Sequence, residues 1–296
     1  MNDFKKNALS WGEDGAKWLK KIPDLIATYE KKWDIKVSPP FDLNYNYVAP
    51  ALRKDGSMAV LKIGFPKDTE FQSEIEALKI FNGNVMCSLL ESDQTNATIL
   101  IERVAPGDPV SSIDDDDEAT RIIARLATKL HKPLPADHSF STPQDLATAL
   151  TDYLNRYQDS GPLPSGLVKK AANLFDYLIS SSSTPVLVHG DLHHFNVLSS
   201  EEHGWRAIDP KGIAAEPAYD VGAMIRNPYE DLKHINDLKP LVARRIAILA
   251  EELEVDSQRI TQWCFAQTVL SAVWSTEGVK GPSHALRAAE AINSLL

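Results

Sequence analysis

Apolar residues recur at helical spacing between residues 14 and 33, where Trp18, Leu19, Ile22, Leu25, Ile26 and Tyr29 predict an amphipathic helix with a kink at Pro23. Pro39 and Pro40 close that region. The period then changes. In "YVAPALRKDGSMAVLKIGFP" two strand-like runs flank Lys54-Asp55-Gly56-Ser57, which predicts a hairpin with Lys62 in its second strand. The next segment, "DTEFQSEIEALKIFNG", returns to helical spacing through Phe71, Ile75 and Leu78 and stops at Gly83. A strand follows over Thr98–Glu102 and breaks at Pro106-Gly107.

Beyond that break the pattern is mainly helical. Asp114 to Glu118 stand in front of a helix carrying Ile122, Ile123, Leu126 and Leu130. Negative charge stabilises a helix N-terminus, so the acidic run reads as a solvated helix start. It does not read as a metal site, because adjacent carboxylates on a helix diverge. Helices are also predicted over residues 145–158, 166–179, 229–253, 258–278 and 284–295, with Trp263, Phe265, Leu270 and Trp274 as core. Two short apolar runs, Val186–Val188 and residues 197–198, interrupt the helical series as strands. The expected fold class is α+β: a strand-rich N-terminal part joined near residues 103–109 to a larger, mostly helical part.

Composition narrows the function. The chain has 296 residues, 43% of them hydrophobic, enough to bury the core of a two-lobed domain. Its 31 basic and 41 acidic residues give a net charge of -10, which opposes binding to a nucleic acid polymer and is compatible with cationic small partners. Cys87 and Cys264 are too far apart in sequence for a C-x-x-C pattern, so neither a disulfide framework nor a zinc knuckle is expected. Charges run throughout the first 22 residues, and no stretch approaches a membrane span, so the expected location is cytoplasmic with no membrane partner.

The densest chemistry lies in "VLVHGDLHHFNVL", residues 186–198. His189 and His193 have the four-residue spacing of a helical metal pair, but Gly190 and the flanking apolar runs argue against a helix, and the spacing loses its meaning. Taken singly, His193 and His194 read as structural or surface residues. Asp191 and Asn196 form a better unit, on a loop between strands, with Asp209 following in "RAIDPKG". Phosphoryl transfer requires a hydroxyl held in line with the γ-phosphate and Mg²⁺ to spread the developing charge. Asp191 would orient that hydroxyl, while the oxygen ligands Asn196 and Asp209 would suit Mg²⁺.

His189-Gly190-Asp191 followed by Asn196 resembles the H-x-D-x-x-x-x-N catalytic loop of the protein-kinase-like superfamily, and Asp209 looks like its metal-binding aspartate. Glycine after the histidine is similar to the aminoglycoside phosphotransferases. The blocks "YVAPALRKDGSMAVLKIGFP", "ILIERVAPGDPV" and "WRAIDPKGIAAEPAYDVGAMIRNP" resemble the streptomycin 6-phosphotransferase and hydroxyurea-resistance kinase family, from about Asp42 to Pro228. The resemblance implies a bilobal protein-kinase-like fold, with an N-lobe over residues 1–103 and a C-lobe over 104–296. It implies ATP and Mg²⁺, with Lys62 contacting nucleotide phosphates and Glu74 pairing with it. Glu76 is the rival for that pairing, two residues on and therefore on another side of the helix. Residues 100–104 match the hinge, where the backbone at Glu102 and Val104 would meet adenine. Two departures stand out. No G-x-G-x-x-G precedes Lys62, and Pro210-Lys211-Gly212 follows Asp209 where protein kinases carry Phe-Gly.

The acceptor implied is a small molecule with a hydroxyl, cationic and aminoglycoside-like, of the streptomycin type. Only ten residues separate Asp209 from Asp220, and Gly190 replaces the arginine that could pair with a phosphorylated loop, so a protein acceptor is disfavoured. Glu216, Asp220, Glu230, Asp231 and Glu277 are the carboxylates available to such a cation, with Asp220 alternatively a buried brace for the catalytic loop. Two other functions compete: a metabolic kinase for an amino alcohol or sugar, and a nucleotide-binding protein without turnover.

Overall fold

The computed structural model describes residues 3–83, 85–276 and 283–296, and the chain divides into two units, Met1–Gly107 and Asp108–Leu296. The first begins with helices α1 (Asp3–Ser10) and α2 (Gly12–Lys32), the latter running through Pro23. Strands β1 (Ile35–Val37), β2 (Tyr47–Arg53) and β3 (Met58–Ile63) lead to helix α3 (Thr69–Phe81), then β4 (Leu89–Asp93) and β5 (Thr98–Glu102). The five strands form one antiparallel sheet in the order β1-β2-β3-β5-β4. The hairpin turn is made where the sequence places it, with Gly56 at φ +86°.

Strand alternation then decides where Lys62 points. Ala59, Leu61 and Ile63 share one face of β3 and join Trp18, Ile22 and Tyr29 of α2 in a single buried cluster. Lys62, one residue out of phase, falls on the opposite face, against α3. That helix is capped by the Asp68 side chain, which accepts from Glu70 N–H, and it ends at Asn82 in the left-handed region. Its buried face carries Phe71, Glu74, Ile75 and Leu78, spaced as one helical stripe.

The second unit is built around helices α4 (Asp116–Leu130), α5 (Pro143–Tyr157), α6 (Ser165–Ser180), α7 (Gly222–Ile225), α8 (Tyr229–Leu232), α9 (Lys239–Leu253), α10 (Ser257–Ser275) and α11 (Ser283–Asn293). Its short strands are β6 (Pro106–Pro109), which spans the division, β7 (Val186–Val188), β8 (Val197–Ser200), β9 (Gly204–Ala207) and β10 (Ile213–Ala215). They form a three-stranded sheet, β6-β8-β9, and a two-stranded sheet, β10-β7. Helix α10 is buried almost all round from Ile260 to Val273, as a helix without a polar face must be.

The structure corrects the sequence reading in three places. The predicted helix over residues 229–253 is two helices, because the chain breaks after Leu232 and restarts at Lys239, with Pro240 in the first turn where its missing N–H costs nothing. Trp274 is not core: it is 43% exposed at the end of α10. The acidic run is more than a solvated start. Asp115 caps α4 by accepting from Asp117 and Glu118 N–H, while Asp116 pairs with the buried Arg245 of α9. No helix among the described residues is long and apolar enough to cross a membrane.

Candidate active site

Residues 189–196 connect β7 to β8 as a loop whose backbone is fixed at almost every turn. Asp191 N–H donates to His189 Nδ1 at 3.2 Å, and His189 Nε2 lies 2.9 Å from the Ile208 carbonyl, an arrangement that suits the tautomer with its proton on Nε2. The His189 carbonyl accepts from both Lys211 and Gly212 N–H, at 2.9 and 3.1 Å. The loop is thus tied directly to the segment around Asp209. Gly190 has φ +83°, and a Cβ there would stand 2.5 Å from Ile213 Cγ1. Glycine is required at this position for its backbone and for space together.

The carboxylate of Asp191 is a quarter exposed and has a cation beside each oxygen: Lys211 Nζ is 3.9 Å from Oδ2, and an Arg226 guanidinium nitrogen is 3.7 Å from Oδ1. Burial works against its ionisation, but Lys211 first, then His193 and Arg226, outweigh burial and hold its pKa down to about 2. Neither cation is within hydrogen-bond distance, so the oxygens keep lone pairs for another donor. Arg226 is itself anchored by donation to the Gly222 carbonyl at 3.0 Å.

Asn196 and Asp209 stand at the same end of the β8–β9 hairpin. Asn196 immediately precedes β8, Asp209 follows β9 by two residues, and Ile208 N–H donates to the Asn196 carbonyl at 2.9 Å to close the pair of strands. The Asn196 amide nitrogen donates to the Asp191 carbonyl at 3.0 Å, which leaves its amide oxygen as the group available to a cation. Asp209 is exposed and sits at φ +56°, a strained backbone that Asp tolerates better than most residues. One amide oxygen and one carboxylate fit Mg²⁺, which keeps waters and substrate phosphates as its other ligands. No group of three or more His, Cys, Asp or Glu able to hold a metal is found among the described residues.

Asp220 braces this loop, as the alternative sequence reading has it, with help from His131 and Gln267, which the sequence left unassigned. The buried Asp220 accepts from Gly190 N–H at 2.8 Å, and His131 Nε2 stands 3.3 Å from its other oxygen. Burial opposes ionisation of Asp220, but His131 and the Gly190 N–H hold its pKa below the usual carboxylate range. Gln267 of α10 donates to the Tyr219 carbonyl at 2.6 Å and packs against Gly222, where a Cβ would come within 2.5 Å of its amide. Glu216 is equally committed, to the Arg259 guanidinium and the Trp263 indole N–H. Glu216 and Asp220 are therefore internal supports and not carboxylates offered to an acceptor.

Of the other carboxylates, Glu230 pairs with Lys233 and Glu277 lies outside the described residues. Asp231 lines a cavity of about 200 Å³ together with Asp114, Asp116, His194 and Arg245. Asp191, Asn196 and Asp209 do not line it. His194 is buried there, and desolvation, aided by Arg245, pushes its pKa down to about 2. The surface and structural reading of the two adjacent histidines thus divides, with His194 inside and His193 partly exposed.

In the first unit Lys62 Nζ lies 2.7 and 2.8 Å from the two Glu74 oxygens, with both side chains more than nine-tenths buried. The Phe71 ring centroid is 5.6 Å from the same ammonium. Glu76 faces elsewhere and pairs with Lys79 and Gln94. Glu102 ends β5, where its N–H donates to the Ser88 carbonyl and its carboxylate accepts from Ser88 N–H. Val104 is buried two residues on, and Gly107, at φ +84°, turns the chain against the Val104 carbonyl.

A sheet-bound lysine paired with a helix glutamate, followed by a helical unit with this loop, defines an α+β protein-kinase-like fold. A choline/ethanolamine kinase family protein from Mesorhizobium loti shares it with a TM-score of 0.67 at 14% identity, over 94% of each chain. The family model for aminoglycoside/hydroxyurea antibiotic resistance kinases matches residues 36–278, and the chain belongs to that family. It is similar to streptomycin 6-kinase of Streptomyces griseus, 30% identical over 90% of this chain and 87% of the relative. It is also 27% identical to a hydroxyurea phosphotransferase of Kitasatospora aureofaciens, over 90% and 76% of the two chains. The protein is a kinase, moving a phosphoryl group from a nucleotide to a hydroxyl of a small acceptor.

Proposed function

We propose that this kinase transfers the γ-phosphoryl group of ATP to a hydroxyl of a streptomycin-type aminoglycoside. The observation that carries the reading is the state of Asp191: ionised, partly exposed, and flanked by cations that leave its oxygens available. A carboxylate so acidic is a weak base, and its work is to orient the acceptor hydroxyl by accepting its hydrogen bond; the proton follows late, as a loose transition state allows. Asn196 and Asp209 hold Mg²⁺, which when bound spreads charge over the transferring group. Lys62, kept in place by Glu74, meets the nucleotide phosphates, and the backbone at Glu102 and Val104 receives adenine. Asp220 and His131 keep Gly190, and with it Asp191, in register.

The relatives named streptomycin 6-kinase support the acceptor, and the chain's negative net charge favours a cationic one. The hydroxyurea relative supplies the rival acceptor, small and neutral. Incubation with MgATP and each of streptomycin, hydroxyurea, choline and a hexose, read by ³¹P NMR and mass spectrometry, separates them. The expected product is a streptomycin monophosphate. Phosphate on hydroxyurea, choline or the sugar alone replaces this acceptor, and ATP binding without any product excludes all four as acceptors.

A further inference from the structure

The cavity lined by Asp114, Asp231 and His194 lies wholly within the second unit, and the phosphoryl transfer described above makes no use of it. We propose that this cavity is a second ligand site, separate from the one at Asp191, and that it takes a short aliphatic amine with an ammonium at one end, an apolar stem, and a hydroxyl at the other.

The buried part of the lining supplies the first observation. His194 is only 2% exposed, yet neither of its ring nitrogens has a hydrogen-bond partner. Buried polar groups are almost always paired, and an orphaned one costs stability until something meets it. A neutral imidazole offers one donor and one acceptor, and a hydroxyl can answer either. A cation suits this part poorly, because the equally buried Arg245 guanidinium lines the same cavity.

Charge at the exposed part supplies the second. Asp114 and Asp231 are exposed, and neither has an ion-pair partner among the described residues. Asp116 differs, since it is taken up by Arg245, whose other N–H groups go to the Met224, Ile225 and Asn227 carbonyls. The lining therefore keeps two uncompensated carboxylates, and an ammonium beside them gains from both. The remaining walls are largely apolar, with Ile113, Leu232, Ile235 and Leu241. Water finds no partners along them, whereas a methylene chain replaces it favourably.

Volume sets the length of that chain. The cavity measures about 200 Å³. One of about 150 Å³ holds benzene, so about six to eight non-hydrogen atoms fit here. The site also touches the loop of Asp191, because His194 belongs to that loop and its carbonyl accepts from the N–H of Ser111, another lining residue, at 3.3 Å.

The probe is 5-aminopentan-1-ol, titrated into the full chain without nucleotide at about pH 8, where histidine is neutral. NMR of ¹³C-labelled histidine rings follows it, with His194 identified by the signal missing from His194→Gln. Saturable binding in the millimolar range is expected, with a shift of the His194 signal. Asp114→Asn combined with Asp231→Asn, checked for folding by circular dichroism, is expected to weaken binding about tenfold. Pentylamine and 1,5-pentanediol, which lack the hydroxyl and the charge, should each bind more weakly than the probe. Asp191→Asn should bind it as the unaltered chain does. A His194 signal that stays still up to about 50 mM probe means that water alone meets the ring, and overturns the site. Unchanged affinity in the double variant overturns it too, as does loss of binding in Asp191→Asn, which would place the probe at the acceptor position.

Discussion

At Gly190 a side chain has nowhere to go: the backbone is left-handed and Ile213 occupies the space. Gly190→Ala should cost about 1–3 kcal/mol of stability from backbone strain alone and lower kcat further by displacing Asp191, measured by urea unfolding and steady-state rates. The pairing of Lys62 gives a cleaner contrast. Glu74→Ala leaves a buried ammonium without its carboxylate, so a loss of about 3–5 kcal/mol and a raised KM for ATP are expected. Glu76→Ala, on a half-exposed pair, should change stability by less than about 1 kcal/mol and leave KM for ATP as it is. At this scale the pairing of Lys62 with Glu74 was legible because each residue is tied to a local pattern of strand or helix. Arg226 and Trp274 were not, since what brings them to Asp191 and Lys211 is tertiary packing, and nothing in their own neighbourhoods in sequence announces it.

Elements differ in how much of them could be read. Helices α3, α4, α5, α6 and α10 follow strong apolar periodicity and appeared near their observed bounds. Strands β1 and β4, edges of the first sheet, carry a weaker pattern and were missed; the sheet recruits them by pairing with β2 and β5. The edge is also where an ion pair matters. Asp93 of β4 accepts from Lys32 of α2 at 2.9 Å and from Asn96, and although burial opposes its ionisation, these donors hold its pKa down to about 2. A carboxyl whose folded pKa lies below its unfolded value stabilises the protein above the unfolded pKa of about 3.9, and that contribution disappears as pH falls towards 2. Asp93→Asn should therefore lower unfolding free energy by about 2 kcal/mol at pH 7, with the difference constant down to about pH 5 and shrinking below pH 4. Urea titrations at several pH values check it; a difference that persists unchanged at pH 2.5 would contradict it.

For the molecule as a whole, the ordered motif blocks made family and fold readable from the sequence, whereas the carboxylates set aside for the acceptor were not. Glu216 looked available only because its partners, Arg259 and Trp263, lie 43 and 47 residues away in the chain, whereas the alternative reading of Asp220 as a buried brace for the loop is the one the structure bears out. The net charge of -10 bears on encounter with the acceptor and not on the fold. Raising NaCl from about 10 to 200 mM shortens the Debye length from about 30 to under 10 Å, so kcat/KM for a cationic aminoglycoside should fall severalfold while that for neutral hydroxyurea stays level. Beneath both acceptors lies the assignment of phosphoryl transfer to the loop of Asp191. Single-turnover transfer from γ-labelled ATP to streptomycin, compared between the unaltered chain and Asp191→Asn at matched ATP binding, decides it. The expected result is stoichiometric phosphorylation by the former and a rate lower by about 10³-fold or more in the latter; equal rates in the two proteins would contradict that assignment.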